Sequence, residues 1–473
     1  MCCVKAETTA TSGKPSSSLS LTVLYYGATS VLGVALFWLL DIYGARLQAP
    51  SASAPAVDQS PMSGKPDVLI HVLIALLAVL VTGQVLSWLL RYLGQPQVMG
   101  EVLGGILLGP SVLGWLWPEA AAFLLPPFLV PYLNVLAQLG VILYVFLVGL
   151  ELNPAVLHER FRSLLAITHA GIMAPFLLGA FLALYLYPRF SSTEIPFSSF
   201  ALFISIALSI TAFPVLARIL TDRGMQKTRI GVIALGCAAM NDVLGWCLLA
   251  FVIGVIQAKV SGAFLILGLT ATFLALMFLI VRPLVAYLLR RSPEIRWTRA
   301  LAALIFAALL LSSLATEAIG IHAIFGAFLL GAVIPHDNPV AVTMARKLED
   351  LVTVLLLPSF FALTGMRTRI GSATTAEEWF ACGLIIIAAT VGKFGGVLLG
   401  ARLGAGLSWR DALVLGALMN TRGLMELIVL NVGLDLHILS PTLFTLMVLM
   451  SLATTLTTTP LLQWFEGRLG KDK

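Results

Sequence analysis

Asp242 is an acid in the middle of an apolar run, about 230–256, with no basic residue beside it in sequence. That run is long enough to cross a bilayer as a helix. A carboxylate at that depth costs at least about 2.5 kcal/mol on insertion scales, and residues kept at such a cost usually carry an ion or a proton. Ala238 and Ala239 lie one turn before it and Gly245 one turn after. Small residues at helical spacing admit a second backbone, so Asp242 is expected to face the bundle interior. A second buried charge, Lys393, sits in Ala388-Ala389-Thr390-Val391-Gly392-Lys393-Phe394-Gly395-Gly396, again among small residues. An interior lysine calls for an acidic partner or a part in proton transfer. Arg422 and Glu426 are four apart and can meet across one helical turn as an ion pair.

Two stretches break the helices expected around these charges. Ser209-Ile210-Thr211-Ala212-Phe213-Pro214 places a proline in mid-segment, where it removes a backbone donor and clashes with the carbonyl at Ile210. Asn420-Thr421-Arg422-Gly423 has no proline but gathers poor helix formers at the same depth. The two breaks lie seven segments apart, and an odd offset makes them run oppositely through the membrane. Paired interruptions in inverted halves point to a transporter site at the midplane. The half-helix ends there offer carbonyls to a cation and N–H groups to an anion.

The elements that must position these groups follow from composition. The chain has 473 residues, 59% of them hydrophobic and 11% charged. That balance excludes a soluble domain and implies an all-α membrane protein in the lipid bilayer. Residues 1–18 form a polar tail, 19–40 an extra hydrophobic helix or uncleaved signal, and 41–67 an Ala/Ser/Pro linker. Residues 68–463 hold thirteen apolar segments, and 464–473 form a short tail. Most loop arginines and lysines, among them Arg91, Arg223, Lys227, Arg290, Arg346 and Arg410, fall on one side. Only Arg189, Lys259, Arg367 and Arg369 fall in loops on the other. This bias puts the C-terminus in the cytoplasm; the membrane expected is the cell inner (plasma) membrane. The net charge of +6 reflects the same bias and does not indicate nucleic acid. Five cysteines give no disulfide framework. No phosphate loop, Cys/His metal cluster or triad spacing appears, so neither an enzyme site nor a cofactor is expected.

The chain resembles the monovalent cation/proton antiporter superfamily, in the branch of the plant cation/proton exchangers and their bacterial relatives. The resemblance rests on Gly94 to Glu101, Gly104 to Ser111, Phe146 to Glu151, Ser209 to Leu216, Asn241-Asp242, His322 to Gly331, Gly392-Lys393 and Asn420 to Asn431. It implies a 13-helix inverted-repeat fold with two discontinuous crossing helices, here with one extra N-terminal helix, assembled as a homodimer. It also implies that Asp242 binds cation and proton in turn, and that Lys393 is the core lysine paired with that site. Asn241 stands where electrogenic members carry a second aspartate, and Thr211 belongs to the first break.

On this reading the chain exchanges Na+ or K+ for protons by alternating access. The only metal at Asp242 is the transported monovalent cation. Hard oxygen ligands are expected from Asp242, Asn241, Thr211 or Ser209, backbone carbonyls and water. Lys393, Arg422 and Glu426 balance charge, and His322 and Glu317 are candidates for pH sensing or gating. A cation-coupled solute symporter of the same fold would need a larger polar pocket. A non-transporting membrane sensor would tolerate loss of Asp242.

Overall fold

A computed structural model describes residues 16–47, 68–95, 97–151, 161–225, 228–257, 263–291, 298–335, 338–372 and 375–469. Most of the polar tail, most of the linker and the last four residues lie outside the described residues. The described residues are helical and contain no strand. Eleven helices are long and apolar enough to cross a membrane, and Phe197–Ala207 and Ala323–Val333 are shorter apolar helices. A bilayer forces this choice, because every spanning backbone group must find its partner within the protein.

We label the helices in chain order: α1 (Ser16–Gly44), α2 (Val68–Tyr92), α3 (Gln97–Leu108), α4 (Val130–Glu151) and α5 (Phe161–Phe190). Next come α6 (Phe197–Ala207), α7 (Phe213–Asp222) and α8 (Arg229–Gln257). Then α9 (Ala263–Leu276) continues through a π-turn, Met277–Val281, into Arg282–Arg291. They are followed by α10 (Arg299–Ile319), α11 (Ala323–Val333) and α12 (Pro339–Arg367, wound as a π-turn over Leu351–Leu356). The last four are α13 (Ala376–Leu399), α14 (Trp409–Met419), α15 (Leu424–Asp435) and α16 (Pro441–Leu469).

Close approach of α13 to α5 fixes Lys393. A Cβ added at Gly392, Gly396 or Gly400 would meet the backbone of Pro175, Ala170 or Ala166 within 3.0 Å. The four-residue spacing brings the two backbones together along one stripe. Lys393 rides on that helix and is fully buried.

The buried apolar side chains form two large clusters. One gathers α6 with α15, and the other gathers α7 with α14 and the start of α8. The breaks 208–212 and 420–423 lie where the clusters meet, so the two interrupted helices cross there in opposite directions. Buried polar residues collect at this boundary: Ser209, Thr211, Asn241, Asp242, Lys393, Asn420, Thr421, Arg422 and Glu426.

Candidate ion site at the helix crossing

The crossing brings four half-helix ends together, and three of them meet the charge their dipole favours. The carbonyls of Ala207 and Leu208 close α6, and Arg422 donates to them from Nη1 at 3.1 Å and from Nη2 at 2.5 Å. Lys393 Nζ donates to the Ser209 carbonyl at 2.5 Å. Cations thus sit at the negative end of α6. Glu426 lies in the first turn of α15, at its positive end, and its Oε1 accepts from Arg422 Nη1 at 3.2 Å. Asp242 faces the positive end of α7, where the Phe213 N–H approaches its carboxylate without completing a hydrogen bond.

The breaks are stitched to each other and to α8. The Ala212 N–H donates to the Thr421 carbonyl at 3.1 Å, and Thr211 Oγ1 donates to the Met419 carbonyl at 3.1 Å. Asn241 spans the first break from α8. Its Oδ1 accepts from the Thr211 N–H at 2.8 Å, and its Nδ2 donates to the Ser209 carbonyl at 3.4 Å. These bonds satisfy backbone groups that lose their helical partners at the breaks, as a spanning segment requires. Position 214, a proline, has no N–H to return to Ile210.

These bonds show which hydrogen-bond partners the expected ligands already hold. The Ser209 hydroxyl donates to its own helix at Ser205, 2.7 Å away. The Ser209 carbonyl is shared by Lys393 and Asn241. The polar atoms of Asn241 both bond the first break, and the Thr211 hydroxyl donates to Met419. Both oxygens of Asp242, by contrast, are buried without a hydrogen-bond partner. An unpaired buried carboxylate is too costly to leave alone in an apolar medium, so its natural partner is a small cation or a proton. A space of about 10 Å³ touches it, bounded by Ile210, Gly245, Trp246, Met425 and Val429. That is near the lower limit for one water or one ion of similar size.

Comparison with known proteins places this geometry in a family. A Synechocystis protein named Na(+)/H(+) antiporter NhaS4 is 40% identical over 398 residues, 84% of this chain and 97% of that one. The pattern of the family described as sodium/hydrogen exchanger, transmembrane, matches residues 59–464. The chain belongs to this family. Cation/H(+) antiporter 18 of Arabidopsis thaliana is 40% identical over 399 residues, covering 82% of this chain and 48% of that one. K(+)/H(+) antiporter 1 of Saccharomyces cerevisiae is 34% identical over 383 residues, covering 78% of this chain and 44% of that one. The chain thus spans about half the length of the plant and yeast relatives. The sodium proton antiporter MjNhaP1 of Methanocaldococcus jannaschii, solved at pH 8, shares the fold. Its TM-score is 0.64 at 14% identity, with 86% of this chain and 99% of that one covered.

In this member of the family, Glu317 and His322 stand apart from the crossing. The Glu317 carboxylate accepts the Ala323 N–H at 2.7 Å at the start of α11. His322 has a backbone φ of +77°, rare outside glycine, and its Nδ1 is buried without a partner. Both line a larger cavity of about 310 Å³ between α4, α10, α11, α12 and α15. Asn431, Arg367 and Asp435 share its wall, and Arg367 Nη1 donates to Asn431 Oδ1 and Asp435 Oδ1, each at 2.9 Å. Sequence reading missed this cluster, because its members come from separate helices. It also missed Asn420 as a separate group: both of its amide atoms are buried and unpartnered.

Proposed function

We propose that the chain is a secondary active antiporter that exchanges a monovalent cation, Na+ or K+, for protons by alternating access. The supporting observation is the pair of unpartnered Asp242 oxygens at the crossing of two oppositely running broken helices, in a chain of the exchanger family. Relatives named Na(+)/H(+) and K(+)/H(+) antiporters support the same exchange and leave the cation open between the two.

One carboxylate couples the two fluxes. Asp242 holds either a metal cation or a proton, never both, so loading one from one side displaces the other. Asn241 and Thr211 act as scaffold for the break that faces it, with Ser209 supplying a carbonyl. Lys393, Arg422 and Glu426 supply fixed charge at the half-helix ends. Backbone carbonyls near Ile210 and water complete the oxygen shell of the cation.

Each broken helix counts as one crossing. On that count, 68–463 holds thirteen crossings in inverted repeats, and α1 is the extra N-terminal helix. The charge bias of the loops favours a cytoplasmic C-terminus, and resemblance favours the cell inner membrane and a homodimer. Glu317 and His322 belong to a vestibule that leads towards α15, where they act in gating or pH response. Against the symporter alternative, the larger polar cavity of about 310 Å³ does not include Asp242 in its wall, and the space touching Asp242 holds little more than one ion.

The test uses purified protein in liposomes with a pH-sensitive dye in the lumen. Addition of Na+ or K+ outside is expected to drive protons out, whereas choline is not. Dye signals equal to those of empty liposomes for Na+, K+, Li+ and Rb+ alike would refute the assignment.

A further inference from the structure

The second break depends on a side chain from a helix that takes no part in the crossing. Thr455 lies on α16 and is fully buried. Its hydroxyl accepts from the Arg422 N–H at 2.8 Å and donates to the Arg422 carbonyl at 2.6 Å. One side chain thereby satisfies both backbone groups of a residue that has left the helix. Buried threonines in membrane helices ordinarily bond their own preceding turn. Neighbours on α16 do so: Thr454 donates to Met450 at 2.9 Å and Thr458 to Thr454 at 3.1 Å. The Thr455 hydroxyl is turned out of its helix to reach Arg422.

Arg422 carries that anchor across to the first break. Its guanidinium closes α6 at Ala207 and Leu208 and holds Glu426. The residue before it accepts the Ala212 N–H, and the residue after it, Gly423, has φ +157° and ψ −128°. A chain held at Arg422 therefore sets the place of both breaks relative to one another. Asp242 sits on α8, which Thr455 does not touch through any of these bonds.

We propose that Thr455 is a positioning residue for exchange, holding the Arg422 backbone so that the two broken helices keep the register in which Asp242 loads and releases its ion. The proposal rests on the antiport reading above. Loss of the hydroxyl frees the backbone of the second break while leaving the carboxylate in place. The maximal rate is then affected, and the half-saturating cation concentration is not.

Thr455→Val keeps the volume and removes both hydrogen bonds, and Thr455→Ser keeps the hydroxyl. Thr454→Val and Thr458→Val make the same change at positions that bond their own helix. Each variant is reconstituted, and exchange is expressed per inserted protein. Thr455→Val is expected to lose about tenfold in maximal rate with half-saturation within about twofold of the parent, as for an interaction that matters to turnover and not to binding. Thr455→Ser, Thr454→Val and Thr458→Val are expected within about threefold of the parent. Should Thr455→Val not insert, Thr455→Cys reads the same contact, since a thiol is a weak donor and acceptor, and it is expected at least about threefold below Thr455→Ser.

A Thr455→Val rate equal to the two control variants overturns the proposal. So does an equal loss in Thr455→Ser, or a change confined to half-saturation. A parent protein that exchanges no cation at all removes the antiport reading, which is a separate result from a parent that works and a Thr455→Val that matches it.

Discussion

Lys393 donates its ammonium to the Ser209 carbonyl at 2.5 Å, and no hydrogen bond joins it to Asp242. The buried lysine therefore closes the end of a half-helix and leaves the carboxylate free for an ion. The charges around it are Arg422, Asp242 and Glu426, two acids and one further base. Glu426 is thus a second acid in the field of Lys393, besides the Asp242 expected from sequence. With both bases and both acids charged, the cluster is neutral before a cation or proton arrives. Loading Asp242 with either adds one positive charge, so the two loaded states carry equal charge.

Stoichiometry follows from that equality. If Lys393 keeps its proton on Ser209 throughout, exchange is one cation for one proton and moves no net charge. Na+/proton exchange measured with the membrane potential clamped by valinomycin at several K+ gradients is expected to reach the same equilibrium at every potential. An equilibrium that shifts with potential would mean that a second proton moves, with Lys393 or Glu426 as its carrier.

Asn241 gives a prediction that separates scaffold from ligand. Asn241→Ala loses the bonds to the Thr211 N–H and the Ser209 carbonyl; the carbonyl keeps Lys393, and the Thr211 N–H is left buried and unpaired. The expected cost is about 1–3 kcal/mol for the group left unsatisfied, read as a lower melting temperature in detergent by fluorescence-detected size exclusion. Equal melting of Asn241→Ala and the parent would show that Asn241 does not hold the break.

Competition at one carboxylate fixes the pH response. Protons and cations exclude each other at Asp242. While the site is mostly protonated, each unit rise in pH is expected to lower the half-saturating cation concentration about tenfold, since proton release is then the cost of binding. At higher pH the value should level off. The check is dye-reported exchange over a pH series with equal pH on both sides at the start. A half-saturating concentration that is flat across the series would separate the two binding events.

Much of the crossing was legible in the sequence. Asp242 and Lys393 are charges in apolar runs, and such residues are visible because a bilayer penalises them so strongly. The breaks were legible too, at 208–212 and 420–423, because proline and clustered Asn, Thr and Gly disrupt helices by local chemistry. Which atoms are free was not legible. Ser209 and Asn241 read as ligands because they bear oxygens; that the same side chains also hydrogen-bond backbone groups of the first break is supplied only by the folded crossing. Thr455 was hidden in a run of threonines, and nothing in its local sequence separates it from Thr454 or Thr458. Asp435, Arg367 and Asn431 meet from two helices, so no spacing could announce them.

The central claim is that Asp242 alone carries cation and proton in turn. Its most direct test is Asp242→Asn, which keeps the size of the side chain and removes its charge. Parent and variant are reconstituted at equal inserted amounts, and proton movement is followed as Na+ or K+ is added outside. The variant is expected to insert, to elute as the parent does, and to show no cation-driven proton movement above empty liposomes. Exchange by Asp242→Asn within about tenfold of the parent would contradict the account, because a carboxamide can neither titrate nor balance the charge of the bound cation.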